Sequence, residues 1–240
     1  MHPDPIRLLV HGASGRMGQA ILRLLRDDAR FAVAAVAART PLAAGEAACL
    51  APDALGDAPD FDLAIDFSLP EPFEAVLRLC RERRVPLVSG TTGISAAQQA
   101  ALDTAALDIP VLWAPNFSLG VAVLEAVSRR VAAALPDWDC DIVEAHHTRK
   151  RDAPSGTALL LGAAVETGRG RGPAYASLRA GDIVGEHTVQ FASTGERLEL
   201  VHRATSRDIF AFGAIQAAAR LAEQPPGRYG FAALMFPGLD

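Results

Sequence analysis

The stretch at residues 6–18, IRLLVHGASGRMG, decides the fold of this chain. It opens with an aliphatic run that predicts a short strand and continues into a turn with glycines at Gly12, Gly15 and Gly18. Residues 19–26 then place apolar side chains at the spacing of an amphipathic helix. A strand, a glycine turn and a helix in this order are typical of the first unit of a nucleotide-binding α/β sheet.

The same alternation continues outward through the first half of the chain. Aliphatic runs predict four further strands, and apolar-periodic segments between them predict two further helices. These strands cover residues 31–37, 63–67, 85–89 and 109–113, and the helices cover residues 71–84 and 95–107, with Ser95 as an N-cap. Strands alternating with helices indicate an α/β fold built on a Rossmann-type, mainly parallel sheet.

The rhythm changes after Phe117, where we place a domain boundary. The second half mixes helical segments with longer strand-like ones. The predicted helices cover residues 121–135, 155–166 and 210–222, a strand covers 141–145, an Arg/Gly loop covers 168–172, and strand-like pattern fills 175–201. This arrangement predicts a second, α+β domain with a mixed or antiparallel sheet.

The bulk composition narrows the classes of function. The net charge of −5 disfavours a nucleic-acid-binding face, because phosphate binding requires a basic surface. No apolar run reaches membrane-spanning length, and the first residues lack the pattern of a signal peptide. Cys49, Cys80 and Cys140 are widely spaced, which predicts reduced thiols rather than a disulfide framework or a zinc site. We therefore expect a cytoplasmic protein without a nucleic-acid or membrane partner.

The glycine turn predicts a dinucleotide site. Glycine permits a tight turn, close approach of the backbone to a pyrophosphate, and close packing of the helix on the strand. The helix that follows presents free amides and the positive end of its dipole to the phosphates. Three glycines alone are a weak signal, but their place between a strand and an amphipathic helix strengthens it.

The end of the second predicted strand distinguishes the two nicotinamide cofactors. An acidic residue there binds the adenosine ribose of NADH and repels the 2′-phosphate of NADPH. Here the strand ends in Ala37-Ala38-Arg39-Thr40, and Arg39 can offer a 2′-phosphate charge-assisted hydrogen bonds worth about 1.5–3 kcal/mol. Arg16 in the turn can contribute, whereas the alternative is that Arg39 is merely solvated. The sequence thus predicts that NADPH is preferred over NADH by about tenfold or more.

The most informative stretch is EAHHTRKRDAPSGTA at residues 144–158. A predicted strand delivers His146 and His147 into a loop that holds Lys150, the one lysine among 23 lysine and arginine residues. Histidine and lysine can exchange a proton with a substrate, whereas the guanidinium of arginine cannot. Taken separately, the histidines also fit a structural role and Lys150 a chance surface lysine.

A helix is predicted to begin directly after this loop. The amides of Gly156 and Thr157, with the Thr157 hydroxyl, can hold a carboxylate at the helix start. No cysteine or carboxylate stands at metal-ligand spacing beside the histidines, so we expect no metal. The loop and the helix start together predict a site for an anionic substrate that receives a proton.

These motifs resemble the signature of the dihydrodipicolinate reductases, also called 4-hydroxy-tetrahydrodipicolinate reductases. The resemblance extends over nearly the whole chain and goes well beyond the histidine loop. Its further motifs are GASGRMG at residues 12–18, DFS at 66–68, GTTG at 90–93, APNFS at 114–118, LRAGDIVGEHT at 178–188 and HRATSR at 202–207.

The resemblance implies an NAD(P)H-dependent oxidoreductase that reduces a cyclic dicarboxylic imine to tetrahydrodipicolinate on the route to diaminopimelate and lysine. It implies that His146 is the catalytic acid/base and that Lys150 is the proton donor to the ring. By the same resemblance, His147, Gly156 and Thr157 bind the dicarboxylate. The implied cofactor-binding residues are Gly12, Ala13, Ser14, Gly15, Arg16, Met17, Arg39, Gly90, Thr91, Thr92, Ala114, Pro115, Asn116 and Phe117.

The resemblance also implies a domain organisation and an assembly. Residues 1–117 form the dinucleotide-binding domain, residues 118–206 the substrate-binding and oligomerisation domain, and residues 207–240 a segment that returns to the first domain. Members form homotetramers through the sheet of the second domain. Many members carry an acidic residue where Ala38 stands, so their use of both NADPH and NADH does not transfer automatically. The alternatives are an amino-acid dehydrogenase of the same two-domain plan and a nucleotide-sensing protein without catalysis.

Overall fold

The computed structural model describes residues 4–40, 42, 45 and 47–239. The chain divides into two compact units. The first runs to Phe117 and resumes at Phe210–Pro237, and the second contains Ser118–Ile209.

The first unit is built on a parallel sheet. Seven strands belong to it within the described residues: β1 (Ile6–His11), β2 (Phe31–Ala37), β3 (Ala48–Leu50), β4 (Leu63–Asp66), β5 (Leu87–Ser89), β6 (Pro110–Trp113) and β11 (Gly227–Tyr229). Their order is β11-β6-β5-β4-β1-β2-β3, and every pairing is parallel. The Rossmann-type sheet predicted from the sequence is confirmed. Its two edge strands were not predicted, because three residues are too few to establish a period.

Five α-helices pack with this sheet in the described part of the unit: α1 (Arg16–Leu25), α2 (Pro70–Arg83), α3 (Ala96–Ala105), α6 (Asp208–Leu221) and α7 (Phe231–Met235). A 3₁₀ helix covers Pro52–Asp57. The predicted N-cap at Ser95 is confirmed, because its side chain accepts from the amide of Gln98, whose side chain accepts from the Ser95 amide in return. Helix α1 begins directly after Gly15, three residues earlier than its hydrophobic pattern predicts.

The strand order reverses between β1 and β4. Strand β1 pairs with β2 on one side and with β4 on the other, so connections leave this point in opposite directions. Open α/β sheets bind ligands outside the carboxyl ends of the strands at such a switch point. The glycine turn follows β1 and therefore lies at this position.

The second unit is a four-stranded mixed sheet with two helices. Its elements are α4 (Leu119–Ala134), β7 (Asp139–His146), α5 (Gly156–Arg169), β8 (Ala174–Arg179), β9 (Gly185–Ser193) and β10 (Glu196–Ala204). The order is β10-β9-β7-β8, with β7 and β8 parallel and the other pairs antiparallel. The α+β architecture and mixed sheet are thus confirmed. One face of the sheet buries Ile142, Val189 and Phe191 against Leu161 and Val165 of α5.

The predicted Arg/Gly loop at residues 168–172 is wrong in its first part. Helix α5 continues through Arg169 and ends at Gly170, which has φ 77°. A Cβ on Gly168 would lie 2.3 Å from the carbonyl oxygen of Arg129, so glycine allows α5 to approach α4 closely. Arg169 and Arg171 donate to the carbonyl of Trp138, which gives these charges a structural role.

None of the helices in the described part of the chain has both the length and the apolar character needed to span a bilayer.

Candidate active site

The three glycines of the turn serve different purposes. Gly12 has φ 78°, and a Cβ on it would lie 2.5 Å from the carbonyl oxygen of Phe67. A Cβ on Gly18 would lie 2.5 Å from the Cα of Ala13, so Gly18 lets α1 pack onto the turn. Gly15 is exposed and is the N-cap of α1, where a Cβ would meet just the carbonyl oxygen of Gly12 at 3.2 Å. Gly12 and Gly18 therefore shape the turn, and Gly15 leaves its helix start accessible.

Backbone hydrogen bonds tie the turn to the end of β2. The amides of Gly12 and Ala13 both donate to the carbonyl of Ala37, at 3.0 and 3.1 Å. Arg39 follows Ala37 by two residues and is exposed. Of the other predicted turn residues, Ser14 and Met17 are half-buried, and Arg16 is exposed at the first position of α1.

A buried carboxylate that was not among the predicted site residues holds the adjoining strand ends together. Asp66 is fully buried at the end of β4 and accepts from His11 Nδ1 at 2.9 Å and from the Ser68 amide at 3.1 Å. Its other oxygen accepts from the hydroxyls of Ser89 and Thr91, both at 2.8 Å. Burial would raise the pKa of Asp66, but these hydrogen bonds outweigh it and lower the pKa. The network fixes Thr91 at the switch-point edge of the sheet.

The remaining implied cofactor-binding residues lie in two segments, one after β5 and one after β6. At Gly90 a Cβ would lie 2.1 Å from the ring of Phe67, so a side chain cannot be accommodated there. Thr92 is exposed, as is Pro115, whereas Ala114 is buried and Asn116 half-buried. The ring of Phe117 is buried, with its centroid 5.5 Å from that of Phe67 and 5.1 Å from that of Phe231.

In the second unit, β7 carries a buried histidine–carboxylate pair. Glu144 and His146 lie two residues apart, so both side chains point to the same face of the sheet. His146 Nδ1 lies 2.5 Å from Glu144 Oε2. Burial lowers the pKa of His146, Glu144 opposes this, and the positive charges of Lys150 and Arg179 reinforce it. His146 is therefore neutral near pH 7, with the proton on the nitrogen that faces Glu144.

Lys150 lies in the loop that follows β7. Its amide donates to the carbonyl of His147 at 3.1 Å, which closes a tight turn. Its Nζ forms an ion pair with Asp152 at 2.7 Å, and 21% of its side chain is exposed. The loop thus presents an ammonium group that is close enough to His146 to lower the pKa of that residue.

His147 points away from Glu144 and contacts Arg207. Arg207 Nη2 donates to His147 Nε2 at 3.1 Å. The proton of the neutral ring then resides on Nδ1, which is buried and has no hydrogen-bond partner among the described residues. A buried donor without an acceptor is costly, and an anionic ligand is one means of satisfying it.

Gly156 and Thr157 form the first turn of α5. Ser155 is the N-cap, and its hydroxyl accepts from the amide of Ala158 at 3.1 Å. Gly156 is exposed, and a Cβ there would meet no atom within 4 Å. The amides of this turn lie at the positive end of the helix dipole, which favours a carboxylate.

His187 on β9 contacts both Ser155 and His146. Its Nε2 lies 3.1 Å from the Ser155 hydroxyl, and its ring centroid lies 5.2 Å from that of His146. Burial lowers the pKa of His187 from the ordinary value of 6.5 to about 4. The folded protein therefore keeps this side chain neutral near pH 7.

Acid should destabilise the protein in a manner that depends on His187. His187 binds a proton near pH 6.5 in the unfolded chain but only near pH 4 in the folded protein. The contribution of neutral His187 to the free energy of unfolding is therefore fully present above pH 6.5 and is lost as the pH falls toward 4. Between pH 7 and 5 the expected loss from His187 is about 2 kcal/mol. Urea unfolding at both pH values measures it, and His187→Asn should show a correspondingly smaller loss. An equal pH dependence in both proteins would contradict the assignment.

The first unit also fits a dinucleotide. The first-turn amides of α1 have no partner within the helix, and the N-cap residue Gly15 has no side chain to accept from them. A side chain at Gly12 or Gly90 would collide with Phe67, so close backbone approach is built into this edge. Among the described residues no group of three or more histidine, cysteine, aspartate or glutamate side chains is arranged to hold a metal ion.

A glycine-turn sheet and a separate unit with proton-exchanging side chains define a nicotinamide-dependent oxidoreductase. Two family models match the chain: "Dihydrodipicolinate reductase, N-terminus" over residues 6–117 and "Dihydrodipicolinate reductase, C-terminus" over residues 120–235. The chain belongs to the dihydrodipicolinate reductase family, as the sequence motifs predicted.

Individual relatives agree with the family models. The chain is 59% identical over 232 residues to 4-hydroxy-tetrahydrodipicolinate reductase of Xanthomonas campestris pv. campestris (strain B100), covering 95% of this chain and 97% of that protein. It is 60% identical over 233 residues to the enzyme of the same name from Stenotrophomonas maltophilia (strain R551-3), with the same coverage. Its fold matches dipicolinate-bound dihydrodipicolinate reductase from Paenisporosarcina sp. TG-14 with a TM-score of 0.82 at 21% identity, over 97% and 99% of the two chains.

Proposed function

We propose that this protein is a 4-hydroxy-tetrahydrodipicolinate reductase. It catalyses the NAD(P)H-dependent reduction of the cyclic dicarboxylic imine to tetrahydrodipicolinate, in the biosynthesis of diaminopimelate and lysine. The observation that carries the proposal is the loop after β7. There a neutral histidine, an ammonium group and a helix start occur within one stretch of chain.

The substrate is a dicarboxylate, and the second unit offers donors for its carboxylates. The Gly156 and Thr157 amides lie at the start of α5, where the helix dipole stabilises an anion. His147 offers its buried Nδ1 proton, and Arg207, bound to the other nitrogen of that ring, adds positive charge. These groups support the binding of an anionic ring.

Lys150 supplies the proton of the reaction. Reduction of the imine leaves negative charge on the ring, which a positioned acid must neutralise. The Lys150 ammonium, held by Asp152, fits this role, whereas His146 is neutral near pH 7 and has an unprotonated Nε2. His146 therefore acts as an acid/base that accepts a proton from the substrate ring and returns it to the 4-hydroxyl group, which leaves as water. Lys150 donates the proton that accompanies the hydride.

A nicotinamide cofactor, when bound, supplies the hydride. We assign its pyrophosphate to the turn from Gly12 to Met17, where the amides of α1 are accessible. Gly90, Thr91 and Thr92, with the segment from Ala114 to Phe117, line the ribose and nicotinamide side. The Asp66 network supports this assignment because it holds the Thr91 hydroxyl in place.

NADPH is the preferred cofactor, although NADH is also accepted. Arg39 is exposed next to the glycine turn, and the residue before it is Ala38 rather than an acidic residue. A guanidinium at this position attracts a 2′-phosphate with charge-assisted hydrogen bonds. The protein is also proposed to be a cytoplasmic homotetramer, and the exposed side chains of Leu178 and Val201 on its mixed sheet support association between copies.

Arg39→Ala is expected to lower the ratio of kcat/KM for NADPH over NADH by about tenfold or more, because it removes the partner of the 2′-phosphate. Steady-state kinetics with each cofactor measures the ratio. Arg78→Ala, an exposed arginine on α2, is the matched control and should leave the ratio unchanged. An unaltered ratio in Arg39→Ala would show that another group recognises the phosphate.

The proposed activity is tested by following the oxidation of NADPH and NADH, with substrate generated in place from pyruvate and aspartate semialdehyde. Turnover that is faster with NADPH supports both the reaction and the cofactor preference. Turnover that is faster with NADH supports the reaction alone. A folded protein that binds cofactor without turning over this substrate would refute the proposed function.

A further inference from the structure

Glu144 is a fully buried carboxylate, and both of its oxygens accept hydrogen bonds. One oxygen accepts from His146 Nδ1 at 2.5 Å and from Arg179 Nη1 at 2.8 Å. The other oxygen accepts from Arg179 Nη2 at 2.7 Å and from the Ser155 amide at 3.2 Å. Burial would raise the pKa of Glu144, but the bonds from Arg179, Ser177 and His146 lower it to about 2. The carboxylate is therefore ionised and held in one orientation.

Arg179 is the residue that holds it. It lies on β8 directly opposite His146 on β7, and its guanidinium forms a two-pronged bond with Glu144. The same guanidinium donates to the carbonyls of Leu178 and Asp152 at 2.6 and 2.5 Å. Arg179 thus ties the carboxylate to the loop that carries Lys150.

The opposite edge of the His146 ring faces Gly185. A Cβ on Gly185 would lie 3.0 Å from His146 Nε2, so any larger residue would crowd this nitrogen. Because the Nδ1 proton is bound to Glu144, Nε2 carries the lone pair of the neutral ring. The ring is thus anchored on one side by Glu144, and on the other side it faces a residue that has no side chain.

We propose that Glu144, clamped by Arg179, is a positioning residue that fixes the orientation and tautomer of His146 and keeps its Nε2 ready to accept a proton. This inference rests on the proposed function for the catalytic role of His146. A buried carboxylate that orients a histidine in this way also stabilises the imidazolium form.

Two roles for the contact between Glu144 and Arg179 can be distinguished by the charges around His146: positioning of that side chain, or structural support between β7 and β8 alone. Glu144 raises the pKa of His146, whereas Arg179 and Lys150 lower it. His146 also repels His147 and His187 when these side chains are protonated. Removing the carboxylate and removing the guanidinium should therefore shift the pKa of His146 in opposite directions, although both changes break the same contact.

The test compares Glu144→Gln and Arg179→Gln with the wild-type protein. The pKa and tautomer of His146 are measured by NMR on histidine-labelled protein, with His146→Asn to assign the signal. Glu144→Gln should lower the pKa of His146 and reduce kcat about ten- to hundredfold, while KM changes by less than about threefold. Arg179→Gln should raise the pKa of His146 and also reduce kcat. Glu166→Gln, an exposed glutamate on α5, is the matched control and should behave as wild type.

The outcomes separate this inference from the proposed function. A wild-type protein without turnover refutes the function, but the NMR measurement still reports whether Glu144 fixes the tautomer of His146. The positioning role would be overturned if the pKa of His146 shifted in the same direction in both variants, or if Glu144→Gln retained full kcat. Circular dichroism verifies folding, and if Glu144→Gln does not fold, the direction of the shift in Arg179→Gln decides.

Discussion

Lys150→Met is expected to reduce kcat by a factor of about 10²–10⁴, the range measured when a positioned general acid is removed. Methionine fills a similar volume, so the loop should retain its turn through the backbone bond to His147. The affinity for NADPH should not change, because the proposed cofactor residues lie in the other unit. Single-turnover kinetics and cofactor titration measure the two quantities separately.

Lys150→Arg makes this test more stringent. A guanidinium keeps the positive charge but does not release its proton in a protein. If the charge alone matters, arginine should restore activity, and if proton donation matters, it should not. We expect no restoration. Arg151→Met, at the neighbouring exposed position, should retain wild-type kcat. A Lys150→Met protein that keeps more than about a third of kcat would remove Lys150 from the mechanism.

His146→Asn is expected to produce a loss of comparable size, about 10²–10⁴-fold in kcat. Asparagine can still donate to Glu144, so the strand should fold, but it has no titratable nitrogen to accept a proton. Burial holds the pKa of His146 below 6.5, and activity should require its neutral form. The wild-type kcat/KM should therefore decline as the pH falls through this lowered pKa.

A pH profile of kcat/KM for wild type and His146→Asn tests this assignment. The decline on the acid side should be present in the wild-type profile and absent from the residual activity of the variant. If the variant retains the same decline, another group, such as His147 with its own lowered pKa, is responsible. A variant with nearly full kcat would exclude His146 as an acid/base.

Local patterns in the sequence carried much of the architecture. The alternation of aliphatic runs and amphipathic segments predicted β1, α1 and the strands from β2 to β6 apart from β3, because buried parallel strands are continuously apolar. The short strands β3 and β11 were missed, since their three residues have no period of their own and form only by pairing with longer strands. The extension of α5 through Arg169 was missed because Gly168 was interpreted as part of a loop. In the structure Gly168 lies inside the helix, where it allows close packing against the backbone of Arg129.

The candidate site was likewise predicted only in part from the sequence. The histidines and lysine of the loop after β7 were identified because they are consecutive in the sequence and end a strand. Two supporting contacts were not identified, because their partners are far apart in sequence: in the second unit Arg179 is 35 residues from Glu144, and in the first unit Asp66 is 55 residues from His11. Neither pair has a periodic pattern that links its members. Arginine is also so frequent here that one more gave no signal.

The sequence by itself determined the chemistry that is available: a glycine turn, a histidine pair, a single lysine and a helix start, each defined by neighbouring residues. The tertiary structure alone decided which charged groups meet and how their pKa values change. The pairing of β7 with β8 brings Arg179 to Glu144 and so lowers the pKa of this carboxylate, whereas burial lowers the pKa values of His146 and His187. The physical reason is that side-chain type is a local property, whereas burial and charge proximity depend on strands that meet only after folding.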